Sequence, residues 1–167
     1  NEVLSRSKQE GGYNASPAMF QFGYQFEKQY LNEGNYQALF EFLPMITGVD
    51  QQLIIPSLTF LNGFRNNKNG WEIAFGPTIG LVSKMDGADY NGKFYSRKDL
   101  EAMKITNLKT EKRLDSRGDM ELTGAIIVAF GKTIKSGRLN IPLNLWATIP
   151  NSDGFRIGIS FGYNSKL

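Results

Sequence analysis

From Phe155 to Asn164 every second residue is large and apolar (Phe155, Ile157, Ile159, Phe161, Tyr163), and those between are Arg156, Gly158, Ser160, Gly162 and Asn164. A period of two with one bulky side and one small polar side is the signature of a strand with two unlike faces. The pattern recurs upstream. Phe20, Phe22, Tyr24 and Phe26 alternate with Gln21, Gly23, Gln25 and Glu27; Trp71, Ile73, Phe75, Ile79 and Leu81 with Glu72, Ala74, Gly76, Thr78 and Gly80. Met120, Leu122, Ile126, Val128 and Phe130 alternate with Glu121, Thr123, Ala125, Ala129 and Gly131; Leu139, Ile141, Leu143 and Leu145 oppose Arg138, Asn140 and Asn144. The alternation predicts about seven strands near 17–28, 36–47, 52–63, 71–83, 119–132, 138–149 and 155–164, each near the length a tilted strand needs to cross a bilayer. Only 52–63 is ambiguous, being apolar on both faces.

The small face decides which solvent the bulky stripe meets. A soluble sandwich or a lipocalin-like barrel encloses its bulky face. Here Gly23, Gly76, Gly80, Gly131, Gly158 and Gly162 fall on the opposite side with a recurring carboxylate, as the narrow interior of a small barrel requires. Tyr30, Tyr36 and Trp71 cluster at one set of strand ends, as an aromatic girdle does. The expected fold is therefore all-β: a small antiparallel transmembrane up-and-down barrel of about eight strands, seven of them visible. Residues 1–167 are expected to form a single domain lacking an upstream first strand. Pro56, Pro77 and Pro142 stand against this, because each removes a ladder donor inside a predicted strand.

The connectors sort into two kinds. Links around 32–35, 66–70 and 135–137 are turn-type, whereas 48–51, 150–154 and the long segment 84–118 alternate with them along the chain. If the C-terminus is periplasmic, counting back places that second group outside, with residues 1–16. The long segment holds nine of the nineteen basic residues, interleaved with acids, and reads as a solvated excursion. Within it Ser96 is an N-cap candidate, with Asp99 in place of the usual Glu, for a helical turn or two near 97–104.

Composition narrows the chemistry. With neither cysteine nor histidine in 167 residues, thiolate metal sites, Ser-His and Cys-His pairs and the Asp-His arrangement of membrane proteases are all excluded. A net charge of +3 spread along the chain gives nucleic-acid binding no support. No cofactor motif appears: Gly87 to Gly92 lacks the ligand spacing and closing Glu of a calcium loop and reads as a turn. Asp86 and Asp89 are the only carboxylate pair weighed for sugar chemistry, and two acids in a charged loop read more simply as solvent-facing. On the inferred lumen face lie Glu27, Glu41, Glu72, Glu121, Arg138 and Arg156, expected to pair as a structural network, because an isolated charge there is too costly. Arg97, Lys98, Lys109, Lys112, Arg113 and Arg117 form an exposed basic set for partner contact or lipopolysaccharide phosphates, though Glu111, Asp115 and Asp119 are interleaved.

The stretches GWEIAFGPTIGLV, RLDSRGDMELTGAIIVAFGKTIKSGRLNIPLNLW and GFRIGISFGYN together resemble a family of uncharacterised outer-membrane β-barrel proteins of Bacteroidota. The resemblance covers most of 70–165, and its most distinctive part is 113–142. It implies a bacterial outer-membrane location and carries over no catalytic residue. One departure is the odd strand count, since such barrels usually have an even one. The expected role is non-enzymatic: a structural barrel or accessory subunit of a larger outer-membrane assembly. Its partners would be outer-membrane lipid and lipopolysaccharide and other outer-membrane proteins. The alternatives are an outer-membrane enzyme or lipid-binding barrel, and a soluble lipocalin-like barrel for a small apolar ligand.

Overall fold

The computed structural model describes residues 2–136, 139–149, 154–162 and 164–165. The chain is all-β and antiparallel, the class its alternation predicts. After a helical turn α1 (Glu2–Ser5) come β1 (Gln21–Gly23), β2 (Phe26–Glu33), β3 (Tyr36–Thr47), β4 (Ile55–Asn66) and β5 (Trp71–Tyr90). Then follow β6 (Lys93–Ser96), α2 (Arg97–Ala102), β7 (Glu111–Leu114), β8 (Asp119–Ser136), β9 (Leu139–Thr148), β10 (Ile157–Phe161) and β11 (Asn164–Ser165). The sheet runs in the order β1-β3-β4-β5-β8-β9-β10; β2 also pairs with β3, β11 with β9, and β6 and β7 with β5.

Prolines set the strand breaks. Pro44 has no N–H to return to Tyr24, although its carbonyl accepts from Tyr24 N at 3.2 Å, so the strand expected at 17–28 is split into β1 and β2. Residues 17–20 lie outside it because the 48–51 turn competes for their backbone. Asp50 accepts from Phe20 N, and Gln51 accepts from Ser16 N and donates to Ala18 O. Opposite Pro142 the chain breaks between β10 and β11, while the register to β9 is unchanged on either side. Pro77 removes rungs from the β4–β5 ladder, which resumes in register at Asn62↔Phe75. The missing donors thus interrupt the ladder locally without shifting it.

The chain divides into two compact units, to which β5 and β8 each contribute residues on both sides. The first gathers Asn1–Gln21, Ile46–Ile55 and Leu81–Thr123, which contain three of the four segments that strand counting assigns to one end; the fourth, 150–154, falls within the range of the second unit and lies largely outside the described residues. The long segment of the first unit is not the open excursion expected. The β5 strand continues to Tyr90 and returns through β6, with Tyr90 opposite Lys93. Asn91 and Gly92 between them have φ of +49° and +77°, the conformation of a tight hairpin turn that Asn-Gly favours. Further along the same strand β7 pairs with residues 84–87. The expected helix is α2: the Ser96 hydroxyl accepts from Asp99 N at 3.1 Å and donates to the Asp99 carboxylate at 2.7 Å, capping the first turn.

The second unit comprises Phe22–Met45, Pro56–Gly80 and Gly124–Leu167. Its two faces differ as the alternation demands. Phe40, Leu58, Phe64, Ile73, Phe75, Ile126, Val128, Phe130, Leu143 and Leu145 are exposed, whereas Glu41, Ser57, Thr59, Glu72 and Thr78 are buried. The ambiguous strand resolves with Leu61 and Gly63 inside and Asn62 and Phe64 outside. Inside, Leu61, Ala74 and Ile127 form a small apolar core against which Leu43, Ala129 and Trp146 pack.

The interior glycines are small because their neighbours are large. Side chains of adjacent strands lie across them: the Trp146 indole over Gly158, the Asn144 amide at Gly131, and the Glu41 carboxylate 3.2 Å from where a Gly63 Cβ would stand. At these three positions the interior is filled by side chains. Gly158→Ala is therefore expected to destabilise the chain by about 1–3 kcal/mol, the cost of overpacking. Gly124→Ala adds a carbon whose nearest contact is Thr78 O at 3.9 Å and should be close to neutral. Tryptophan fluorescence across a urea titration in detergent compares them, and equal midpoints would rule out a packed interior.

Candidate functional site

The most ordered charge in the second unit is an arginine that the alternation alone does not single out. Antiparallel pairing through the 66–70 turn puts Arg65 directly opposite Glu72, and β2–β3 pairing puts Glu27 directly opposite Glu41. All four face inward. The Arg65 guanidinium donates from Nε to Glu72 Oε2 at 2.5 Å, and from its two Nη atoms to the Glu27 carboxylate at 2.8 and 2.6 Å. Two parallel bonds to one carboxylate form the fork that a guanidinium matches best. The Arg65 side chain is only 14% exposed, so these charges are held in a weakly screened interior.

Glu41 is left over. The residue is 3% exposed, and its Oε1 has no hydrogen-bond partner among the described residues. A like-charged pair directly across a strand is itself destabilising, and here Arg65 serves the Glu27 member.

The other residues expected in this network stand elsewhere. Glu121, though on the inward side by alternation, lies in the first unit and pairs with Lys112 at 2.6 Å. Arg156 is exposed, its backbone N–H donating to Thr148 Oγ1 at 2.7 Å. Arg138 lies outside the described residues. Among the described residues the cation that holds Glu27 and Glu72 is Arg65. The signal for it was the mirror position of Glu72 across the Asn-rich turn, which only a committed hairpin register makes visible.

In the first unit the basic set is largely neutralised by its own neighbours. Arg97 pairs with Asp86 at 3.0 Å, and Arg113 with Asp89 at 2.6 Å and with Glu111. The Arg113 guanidinium also lies over the Phe94 ring, 4.8 Å from its centroid. Lys98 and Lys109 are exposed and enter no ion pair among the described residues. Arg117 acts as a structural tie. It grips the buried Asp115 carboxylate with Nε at 2.9 Å and Nη2 at 2.7 Å, and reaches the carbonyls of Gln9 and Phe94. Its hydrogen bonds to Asp115 hold its pKa above the ordinary value.

Asp86 and Asp89 lie on one strand three residues apart, so they point to opposite faces and share no substrate position. Among the described residues no group of three or more acids converges as a metal site. A cleft of about 810 Å³ is lined by Arg6, Lys93, Arg113 and Arg117 against Glu10, Asp89 and Asp99, a mixed surface in which acids offset most of the basic charge. No protein-family model matches the chain, and no curated protein or solved structure matches it either.

Two outcomes follow. Arg65→Met should cost about 3–5 kcal/mol by stranding Glu72 and Glu27 inside, whereas Arg97→Met, at an exposed pair, should cost about 0–1 kcal/mol. Denaturant midpoints in detergent separate the two, and similar losses would remove the distinction between interior and surface charge. The second concerns Tyr13, whose hydroxyl donates to Ser83 O at 3.0 Å and whose pKa is raised, chiefly by burial. A raised phenol pKa stabilises below the unfolded value, about 10, and that stability is lost as pH rises through the folded value. The alkaline fall in midpoint should therefore be shallower in Tyr13→Phe, and an unchanged slope would contradict the burial of this phenol.

Proposed function

We propose that the strands of the second unit cross a lipid bilayer as part of a non-enzymatic outer-membrane β-barrel, a structural or accessory component of a larger outer-membrane assembly. The observation that carries this is the inverted sidedness of the sheet: an exposed face of Phe, Ile, Leu and Val on consecutive strands, against an interior that buries Glu41 and Glu72. In water such a face would be an open apolar surface far larger than monomers expose. In a bilayer it is the required exterior, and the polar side belongs inside. Lipocalin-type binding of an apolar ligand is disfavoured by the same fact, because the inward face carries buried carboxylates and hydroxyls.

The edges of the apolar face agree. Tyr30, Tyr36 and Trp71 are exposed near one set of strand ends, and Trp71 stacks on Phe130 while Lys132 Nζ lies 5.1 Å from its ring centroid. An aromatic ring with a lysine over it suits the boundary between hydrocarbon and headgroups. The resemblance of the quoted stretches to outer-membrane barrels of Bacteroidota points the same way. A non-enzymatic role is supported by the lack of His and Cys and by a network in which Arg65 is fully engaged with carboxylates. In this reading the first unit, rich in ion pairs, is the extracellular lobe.

The chain folded in detergent should migrate differently on a gel before and after boiling, since paired strands resist unfolding in cold detergent. Recovery as a detergent-free soluble monomer would overturn the proposal. Trypsin added to intact cells should cut first after Lys104 or Lys109, which flank the irregular, exposed stretch between α2 and β7. Cleavage seen only after permeabilisation would invert the topology.

A further inference from the structure

Among the described residues β10 pairs with β9 alone, and β1 and β2 pair with β3 alone. Among the described residues neither edge of the sheet in the second unit has a further strand against it. On β10 the free groups can be named. Thr148 N donates to Arg156 O at 2.8 Å and Gly162 N to Pro142 O at 3.2 Å, so 156, 158, 160 and 162 turn their backbone groups toward β9. Antiparallel alternation then turns the N–H and C=O of Ile157, Ile159 and Phe161 toward the empty side. Their side chains record the missing neighbour as well: they are 65, 73 and 84% exposed, against 44 and 40% for Ile126 and Val128 within the sheet. In hydrocarbon such a row of unpaired backbone groups is prohibitive; the inference rests on the bilayer reading to that extent.

Strand direction restricts what can cover these edges. From β2 through β3, β4, β5, β8 and β9 to β10 each neighbour is antiparallel, so the first and seventh strands run the same way. An all-antiparallel closure needs an odd number of further strands. A second copy inserted the same way up would bring β10 beside a β2 running parallel to it, and cannot supply that closure. The chain's own first twenty residues are also committed, with Tyr13 N bonded to Val3 O, Asn14 N to Arg6 O, and Ser116 N to Gly11 O.

The interior specifies one side chain of the newcomer. Arg65 on β4 reaches over β3 to Glu27 on β2, two inter-strand spacings, about 10 Å. A strand laid against β2 stands the same two spacings from β3, where Glu41 Oε1 is buried without a donor. We propose that this edge takes up a strand of a partner whose sequence differs from residues 1–167. That strand is a run of about ten residues with bulky apolar side chains at alternate positions, small or polar ones between them, and an inward arginine or lysine that reaches Glu41. The recognition is by strand addition, with backbone pairing for affinity and the buried cation for register.

The test uses the chain folded in phosphatidylcholine vesicles and three synthetic ten-residue peptides: alternating Ile and Gly or Ser with one inward Arg, the same with Glu in place of Arg, and a scrambled sequence. Hydrogen exchange should find the amides of Glu27 and Gln29, which alternation turns away from β3, unprotected in the chain alone and slowed at least about tenfold by the Arg peptide. The Glu peptide should bind about tenfold more weakly, and that preference should shrink in Glu41→Gln. Protection already present in the dilute chain, protection that grows with the chain's own concentration, or equal action of the Arg, Glu and scrambled peptides would overturn the proposal. Quenching of Trp71 by brominated lipid reads the bilayer placement separately: quenching without peptide protection defeats this inference alone, and absence of quenching defeats the bilayer reading with it.

Discussion

Among the described residues Arg65 is the cation that lets two strands, β2 and β5, turn a carboxylate to the same side of the sheet. A buried carboxylate without a partner would be too costly to keep charged, and a single guanidinium on β4 is shared between Glu27 and Glu72. The sharing also fixes geometry. Glu72 is reached along the strand-pair register, but Glu27 is two strands away, and the extended guanidinium arm spans β3 to reach it. Register and sidedness of the second unit are thus tied to one residue.

Filling completes what charge begins. A curved sheet narrows on its concave side, and the inward positions alternate between large residues and the glycines they cover. Trp146 can turn inward only because Gly158 on the next strand has no Cβ, and the Glu41 carboxylate lies beside Gly63 for the same reason. Deleting or adding a methyl on this face disturbs a neighbour at once. On the outer face aromatic residues meet one another across neighbouring strands, as Phe26, Phe42 and Phe60 do through successive ring contacts.

The alternation made the fold class and most strands legible, because a period of two is a property of the chain itself. The positions of β3, β5 and β8 followed from it closely at their starts. What it missed was set by partners. Pro44 breaks the strand opposite, so the break at Tyr24 and Gln25 is invisible in the local pattern of 17–28. The continuation of β5 to Tyr90 was hidden under charged residues that pair across the hairpin with Arg97 and Arg113. Asn91-Gly92 was the available signal. Arg65 fell just past the predicted end of its strand, and its role needs the register through the 66–70 turn. Glu121 shows the converse: its face was read correctly from alternation, yet nearby Lys112 in β7 captures it, and β7 has too few residues to declare itself by period.

Among the buried acids of the described residues, Asp115 and Glu41 make a contrast. Asp115, 3% exposed, is satisfied completely by its own surroundings: the Arg117 guanidinium holds both carboxylate oxygens, and Arg117 N donates to Oδ1 at 2.9 Å. It closes the first unit upon itself, linking the N-terminal segment to β6 through the same arginine. Glu41 is equally buried, but its carboxyl lies against that of Glu72 and its Oε1 has no hydrogen-bond partner among the described residues. A fold that solves this problem fully at Asp115 and leaves it open at Glu41, one strand in from a sheet edge, is charged for the arrival of a donor. That asymmetry separates a unit complete in itself from one whose sheet still expects a neighbour.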